Sequence, residues 1–400
     1  LALRRDTRHN AAMARPLRYQ TAGESHGPAL VAIVDGMPSD VAVDAARVNA
    51  ELSRRQGGYG RGARQRIETD VAEFLGGLRQ GKTIGSPVAV RIANKDNRID
   101  DPEKTPPVTR PRPGHADLAG SLKYLVPDCR GTLERASARE TAARVAAGAV
   151  ARSVLDHFGI RVFGFVRGAC DAWSEMPIRA NELDALVAAR DASEVYCPDA
   201  AVDKKLVDLI FKAKTEQDTV GGWCEVHVFG APPGLGSCMN WEDRLDARLA
   251  FAVMGIQAFK SVEIGLGREC GARFGSAVHD PIHFDESARG ESHLGYARPT
   301  NNAGGLEGGM TNGMPVVVRG TMKPISTLLR GMPSVEFGTH EPVQSAYERS
   351  DVSAVAAASV VMENVVAFEV ARAFLDKFAG DSLGEVRRAY EGFVAAARRI

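Results

Sequence analysis

The run from Thr141 to Phe158 restricts the fold more than any other stretch, because it is apolar on nearly every side of a helix. Ala142, Ala143, Val145, Ala146, Ala147, Ala149, Val150, Ala151, Val154, Leu155 and Phe158 cover most of its circumference. The polar residues Glu140, Arg144, Arg152 and Asp156 form one row at i, i+4 spacing that passes through Gly148. A helix apolar most of the way round must be buried, and small side chains let neighbouring backbones come close. The pattern therefore predicts a central helix. Ser137 and Glu140 have the S-x-x-E spacing of a capping box at its start, and Gly159 supplies the stop. A free helix start beside Arg135 and Arg139 suits phosphate, although an ordinary capped core helix with paired arginines fits the same residues.

A second such run, Val352 to Phe378 closed by Gly380, follows Arg349-Ser350-Asp351. Its end, Phe374-Leu375-Asp376-Lys377-Phe378, echoes Val154-Leu155-Asp156-His157-Phe158. Strands are expected at Leu30–Val34, Val88–Ile92, Arg161–Val166, Trp223–Phe229 and Val316–Val318. Helices are expected from Ala45 to Arg55, with Asp44 as N-cap and Gly57-Gly58 as stop, and near 182–190, 203–214 and 242–254. No strict strand–helix alternation appears, which favours a layered α+β fold.

Lysine plus arginine balances aspartate plus glutamate at 50 each, so no global field draws in nucleic acid or a membrane surface. Apolar runs such as Val352–Met362 fall short of the roughly 18 residues of a membrane span. The cysteines, Cys129, Cys170, Cys197, Cys224, Cys238 and Cys270, form no C-x-x-C pair, which fits a reduced, cytoplasmic compartment. Residues 1–16, with Arg4, Arg5, Arg8 and a possible initiator at Met13, read as a disordered leader or tag.

Charge is concentrated locally. Ser53 to Ile67 carries Arg54, Arg55, Arg61, Arg64 and Arg66 among glycines, with no acidic residue. A solvated turn or a single-stranded nucleic-acid segment would share that composition, but the lone Tyr59 is thin for base stacking. A mobile cationic loop closing over a small polyanion is the third reading. Asn94–Pro113 reads as a long polar loop bearing Arg110 and Arg112 and delivering Gly114-His115-Ala116-Asp117. Gly-rich residues 301–313 read as a flexible linker or a backbone cradle. Lys323-Pro324-Ile325-Ser326-Thr327 sets a cation and two hydroxyls on a stiff turn.

His26 and His115 stand on glycine-flanked loops beside polar residues and are the candidate acid–base groups. His157 reads as a helix C-terminal residue and His227 as part of a strand face. Pro281 between His279 and His283 argues against a helical metal pair. Gly290-Glu291-Ser292-His293 repeats part of the 23–27 stretch without its closing glycine or following strand. Nucleophile-elbow, Walker and Rossmann patterns are absent from these segments. Together these features describe an enzyme acting on a small, multiply anionic ligand.

Six motifs, in order, carry a family resemblance: Gly23-Glu24-Ser25-His26-Gly27, Arg54 to Gly62, Arg112 to Asp117, Glu134 to Thr141, Lys323 to Thr327, and Arg349-Ser350-Asp351 onward. The chain resembles the chorismate synthases over about residues 17–385, with 17–400 expected as one catalytic domain. The resemblance implies a layered β-sandwich core flanked by helices and a homotetramer. It implies 1,4-anti elimination of phosphate from 5-enolpyruvylshikimate 3-phosphate to give chorismate, with reduced FMN and no net oxidation. Flavin-site positions fall on Ser137, Ala138, Arg139, Gln257, Ala258, Gly308, Lys323, Pro324, Ile325, Ser326, Thr327 and Arg349. Substrate or NADPH positions fall on Arg55 and Arg61. The implied roles are phosphate protonation for His26, control of flavin protonation for His115, and proton transfer at flavin N5 for Asp351. An external flavin reductase is expected to supply reduced FMN, since the extra segment of self-reducing relatives is not obvious.

Overall fold

The computed structural model describes residues 16–62, 67–345 and 351–400. Arg349, Arg64 and Arg66 lie outside the described residues, as do residues 1–15. The first sheet is antiparallel and is built from β1 (Arg18–Ala22), β2 (Ala29–Asp35), β3 (Ala72–Gly76) and β4 (Val88–Ala93) in the order β1-β2-β4-β3. Register pairs Tyr19 with Val34, Leu30 with Ile92 and Phe74 with Val90. The period-two alternation puts Leu30, Ala32, Val34, Val88, Val90 and Ile92 on the buried face, while Ile33 points outward.

The second sheet is also antiparallel: β5 (Arg161–Ala169), β6 (Ala172–Trp173), β7 (Gly222–Phe229), β8 (Phe259–Ile264) and β9 (Val316–Met322), in the order β8-β9-β7-β5-β6. The main helices are α1 (Ala45–Gln56), α2 (Asp117–Tyr124), α3 (Arg130–Ala136), α4 (Thr141–Asp156), α5 (Leu183–Ala192), α6 (Ala200–Thr215), α7 (Leu245–Met254), α8 (Val355–Lys377) and α9 (Leu383–Ala397). The predicted elements are present within a few residues. His157 is the C-terminal cap of α4, and His227 lies on β7.

Layering follows from the two all-round apolar helices. The first sheet packs on α4, the second on α8, and α4 packs against α8. Two sheets and helices form the expected α+β layers, with the long helices between the sheets, because neither α4 nor α8 has a face it could give to water. On the other side of the second sheet, Phe163, Phe165 and Phe229 are covered by Leu183 and Leu186 of α5.

Gly148 is where α4 and α8 touch. A Cβ there would lie 2.3 Å from the Asn364 carbonyl oxygen, so only glycine admits this approach. Beside it Glu363, in mid-α8 and 1 % exposed, joins Arg152 of α4 at 2.9 Å and Arg190 of α5 at 3.3 Å, and also meets Arg54 of α1. One carboxylate thus ties four helices together.

The capping box expected at Ser137 and Glu140 does not form. Ser137 accepts a bond from the Arg139 N–H and caps a single 3₁₀ turn, residues 138–140, and α4 starts at Thr141. The Glu140 carboxylate turns instead to Thr21, to Arg144 at 2.9 Å and to Gln257 at 3.1 Å. A complete capping box occurs at Ser382 and Glu385, at the start of α9.

Candidate active site

Gly23 and Gly27 bracket the first histidine. Gly23 has φ +104°, and a Cβ there would meet the Ala29 carbonyl oxygen at 2.3 Å. The tight turn after β1 carries Ser25 and His26, and Asn94 Nδ2 staples it by donating to the Gly27 carbonyl at 2.7 Å. His26 is 7 % exposed. Its Nδ1 lies 2.8 Å from Glu134 Oε1, and its backbone N–H donates to Oε2 of the same carboxylate at 2.8 Å. Arg98 Nη2 lies 3.2 Å from Nε2. A carboxylate only accepts and a guanidinium only donates, so the network puts the ring proton on Nδ1. Burial opposes ionisation of Glu134, but hydrogen bonding from His26 and then the Arg130 guanidinium hold its carboxyl below the usual range.

Arginines and carboxylates alternate next to this turn. Arg139 donates from Nε to Asn94 Oδ1 at 2.9 Å and from Nη1 to Asp70 Oδ1 at 2.6 Å. Arg55, on the last turn of α1, donates to Asp70 Oδ2 at 2.9 Å. Burial pulls Arg55 down to about 10 against the opposing pull of Asp70. Burial also works against the Asp70 carboxylate, yet the Arg55 and Arg139 guanidiniums hold it below its ordinary value. Arg55 Nε, Arg139 Nη2 and Gln257 Oε1 are buried with no hydrogen-bond partner among the described residues. Orphaned donors on two neighbouring arginines fit an anionic ligand, and an orphaned amide oxygen fits a ligand that also brings an N–H donor.

The expected mobile cationic loop looks different. Arg54 and Arg55 belong to α1 and are largely buried, because Glu363 and Asp70 compensate them. Arg61 pairs with Asp351 at 3.1 Å, and the Gly62 N–H donates to the same carboxylate at 2.6 Å. This brings Asp351 and Arg61, both expected site residues, into direct contact.

His115, itself part-exposed, pairs with a buried carboxylate. Its Nδ1 contacts Asp117 Oδ1, and Arg112 donates from Nε to Asp117 Oδ2 at 2.8 Å and from Nη1 to Thr327 Oγ1 at 3.1 Å. Burial opposes the Asp117 charge, but His115 and Arg112 hold its carboxyl far below the usual range. Lys323 donates from Nζ to the Gly114 carbonyl at 2.8 Å. Burial and then the nearby Lys260 push the Lys323 ammonium below its ordinary value.

Most of the expected flavin positions are linked by hydrogen bonds. Ser137 donates to Ser25 Oγ at 3.1 Å. Gln257 reaches Glu140, next in sequence to Ala138 and Arg139. The Lys323 N–H donates to the Ala258 carbonyl at 2.9 Å, and Thr219 Oγ1 holds the Ile325 carbonyl at 2.7 Å. Ala258 has φ +69°, an uncommon backbone for a non-glycine residue that often marks a functional turn. Pro324 and Ser326 complete this segment, with Ser326 against Gly114.

Gly308 stands apart. It sits in the turn of the 306–311 hairpin, which is held to Gly236 and to Leu245 of α7, and a Cβ on it would meet nothing closer than 3.8 Å. The 301–313 stretch is folded rather than a free linker: the Asp280 carboxylate accepts the Asn302 and Ala303 N–H groups, and Gly304 packs on Gly265.

Sequence reasoning named Asp351 but missed Asp70, Asp117 and Glu134. Asp117, two residues after His115, and Glu134, at the head of the fourth motif, were within reach as local acid–base neighbours. Asp70 and Arg98 carried no local signal.

The chorismate synthase family model matches residues 17–375. A chorismate synthase from Pelobacter propionicus is 50% identical, over 96% of this chain and 100% of that protein. One from Geobacter sulfurreducens is 51% identical, over 96% and 99%. A crystal structure of chorismate synthase superposes with a TM-score of 0.77 at 39% identity, covering 97% of this chain and 100% of that one. On these grounds the chain belongs to the chorismate synthase family, phosphate-eliminating lyases of the shikimate route to aromatic compounds.

Proposed function

We propose that this protein converts 5-enolpyruvylshikimate 3-phosphate to chorismate by 1,4-anti elimination of phosphate, with reduced FMN bound and no net redox change. The observation that carries this reading is the pair of histidine–carboxylate contacts, His26–Glu134 and His115–Asp117, set among arginines with orphaned buried donors.

Arg55, Arg61 and Arg139 bind the anionic groups of the substrate, and their charge stabilises the phosphate as it leaves. His26 gives a proton from Nε2 to the departing phosphate. Ser137, Ala138, Arg139, Gln257, Ala258 and Lys323 to Thr327 hold the flavin, with Gly308 and Arg349 further positions assigned to it. Reduced flavin, when bound, supplies transient electron density to the developing allylic centre. His115 keeps the proton balance beside that cofactor, and Asp351 accepts or returns a proton at its N5.

The protein works as a cytoplasmic homotetramer. Exposed apolar side chains on α2, just after it and on α7, including Leu122, Leu125 and Phe251, support assembly. Reduced FMN comes from an external flavin reductase, with NADPH as the source of reducing equivalents.

One anaerobic assay tests the whole reading. With 5-enolpyruvylshikimate 3-phosphate and reduced FMN, chorismate absorbance and inorganic phosphate should rise together, without consumption of reductant. Absence of phosphate release would sink it.

A further inference from the structure

One ring nitrogen of His26 faces a carboxylate and the other an Arg98–Asp96 ion pair whose nearer member is the guanidinium. On one side is Glu134, 1 % exposed, with Oε1 2.8 Å from Nδ1. Arg130, one turn earlier on α3, stands 3.6 Å from the same carboxylate oxygen. On the other side is the 94–101 loop, with Arg98 Nη2 3.2 Å from Nε2. Asp96 Oδ2 lies 3.7 Å from Nε2, and Asp96 Oδ1 lies 3.1 Å from Arg98 Nε. The loop is itself fastened to this histidine, because the Arg98 and Ile99 N–H groups both donate to the His26 carbonyl at 3.0 Å.

A carboxylate within about 4 Å favours a charged ring and a guanidinium disfavours it. With Arg98 against Nε2, that nitrogen has its lone pair occupied and no proton to give. Yet the proposed step needs a proton there. A phosphate dianion resolves the conflict: it attracts the guanidinium, exposes Nε2 and adds negative charge beside it.

We infer that Glu134 and Arg98 are positioning residues that make the charging of His26 depend on substrate: Glu134 fixes the first proton on Nδ1, and Arg98 blocks Nε2 until the substrate's phosphate draws the guanidinium away. The inference rests on the reading of His26 as proton donor. After the switch, Nε2 takes a proton from solvent. When the carbon–oxygen bond breaks, its electron pair stays on the phosphate oxygen, the Nε2 proton moves to that phosphate, and the ring returns to its neutral Nδ1–H form. A donor charged only beside bound phosphate does not spend its proton before substrate arrives.

The test is the pH dependence of kcat and of kcat/KM, measured anaerobically with the whole chain and reduced FMN. Glu134→Gln keeps the shape of the side chain and removes its charge, so the alkaline fall in kcat should move to lower pH by roughly 1–3 pH units. Arg98→Gln should move the alkaline fall in kcat/KM, which reports the free enzyme, to higher pH. Opposite shifts are not produced by a residue that merely holds the loop. ¹⁵N NMR of the histidine rings adds a second readout: inorganic phosphate should increase the doubly protonated fraction of His26 in the wild type and change it little in Arg98→Gln. Should Glu134→Gln not fold, Glu134→Asp, which keeps the charge, should leave the fall in place, and Arg98→Gln still carries the sign. Unmoved limbs in the variants, with His26→Ala inactive, overturn the switch alone. Normal turnover in His26→Ala overturns the reading beneath it.

Discussion

Asp70 holds Arg139 at 2.6 Å with both side chains almost sealed from solvent, and its second oxygen takes Arg55. Asp70 bridges two buried guanidiniums, one from α1 and one from the turn before α4, and Glu68 is a more distant second partner of Arg139 at 3.9 Å. Asp70→Asn leaves Arg55 without its carboxylate and Arg139 with only the distant one, and breaking a buried pair in this way typically costs about 3–5 kcal/mol. Thermal unfolding should show the loss, and inorganic phosphate should return part of it by standing in for the missing charge. A variant as stable as wild type, with no response to phosphate, would mean that Asp70 is not what holds the two arginines.

Gly148→Ala should destabilise the protein by about 1–3 kcal/mol, because the added methyl collides with the backbone of α8 and the helices must separate. Gly392→Ala is the matched control: it lies in α9, nothing stands within 4 Å of its Cβ position, and it should gain up to about 1 kcal/mol from helix propensity. Urea unfolding of both variants reads the difference.

Glu363 ties stability to acid pH. Burial opposes its charge, but Arg54, Arg190 and Arg152 bring its carboxyl from an ordinary 4.5 down to about 2. The folded value is depressed, so the stabilisation is complete above the unfolded value, near 4.5, and is lost as pH falls through the folded value, near 2. Glu363→Gln should lower stability at neutral pH by about 3–5 kcal/mol, since three buried arginines lose the carboxylate they share. It should also flatten the acid limb of a urea-unfolding series between those pH values. An unchanged limb would assign the acid sensitivity to other carboxylates.

His26→Ala and His115→Ala should each lose most turnover while still binding FMN, which flavin fluorescence titration would follow separately from activity. Near-normal turnover removes that residue from the chemistry. Neutralising Arg55 or Arg61 should weaken substrate binding by about 1–3 kcal/mol for each charge-assisted hydrogen bond removed. A substrate titration of each variant measures this, and unchanged affinity would point that arginine away from the substrate.

Much of this architecture is legible in local spacing. The all-round apolar runs announce α4 and α8, and Asp44 and Gly57 bound α1 as their residue types require. Local spacing misled at Ser137–Glu140, because Glu140 found better partners in Thr21, Arg144 and Gln257 than the backbone behind it. The site itself was half visible. Its histidines stand out on glycine-flanked loops, but Asp70 meets Arg139 across 69 residues and Glu134 meets His26 across 108. No periodicity encodes a pair that exists only after distant segments are folded together.

The Glu363 hub also imposes an order in time. Arg190 leaves the ribosome 173 residues before the carboxylate that neutralises it, and Arg54 leads by 309. At about 5–20 residues per second, Arg190 waits on the order of 10–35 seconds during synthesis. Until α8 emerges, closing the middle layer would bury Arg54, Arg152 and Arg190 without the carboxylate they share, so that layer closes only after residue 363 has been made.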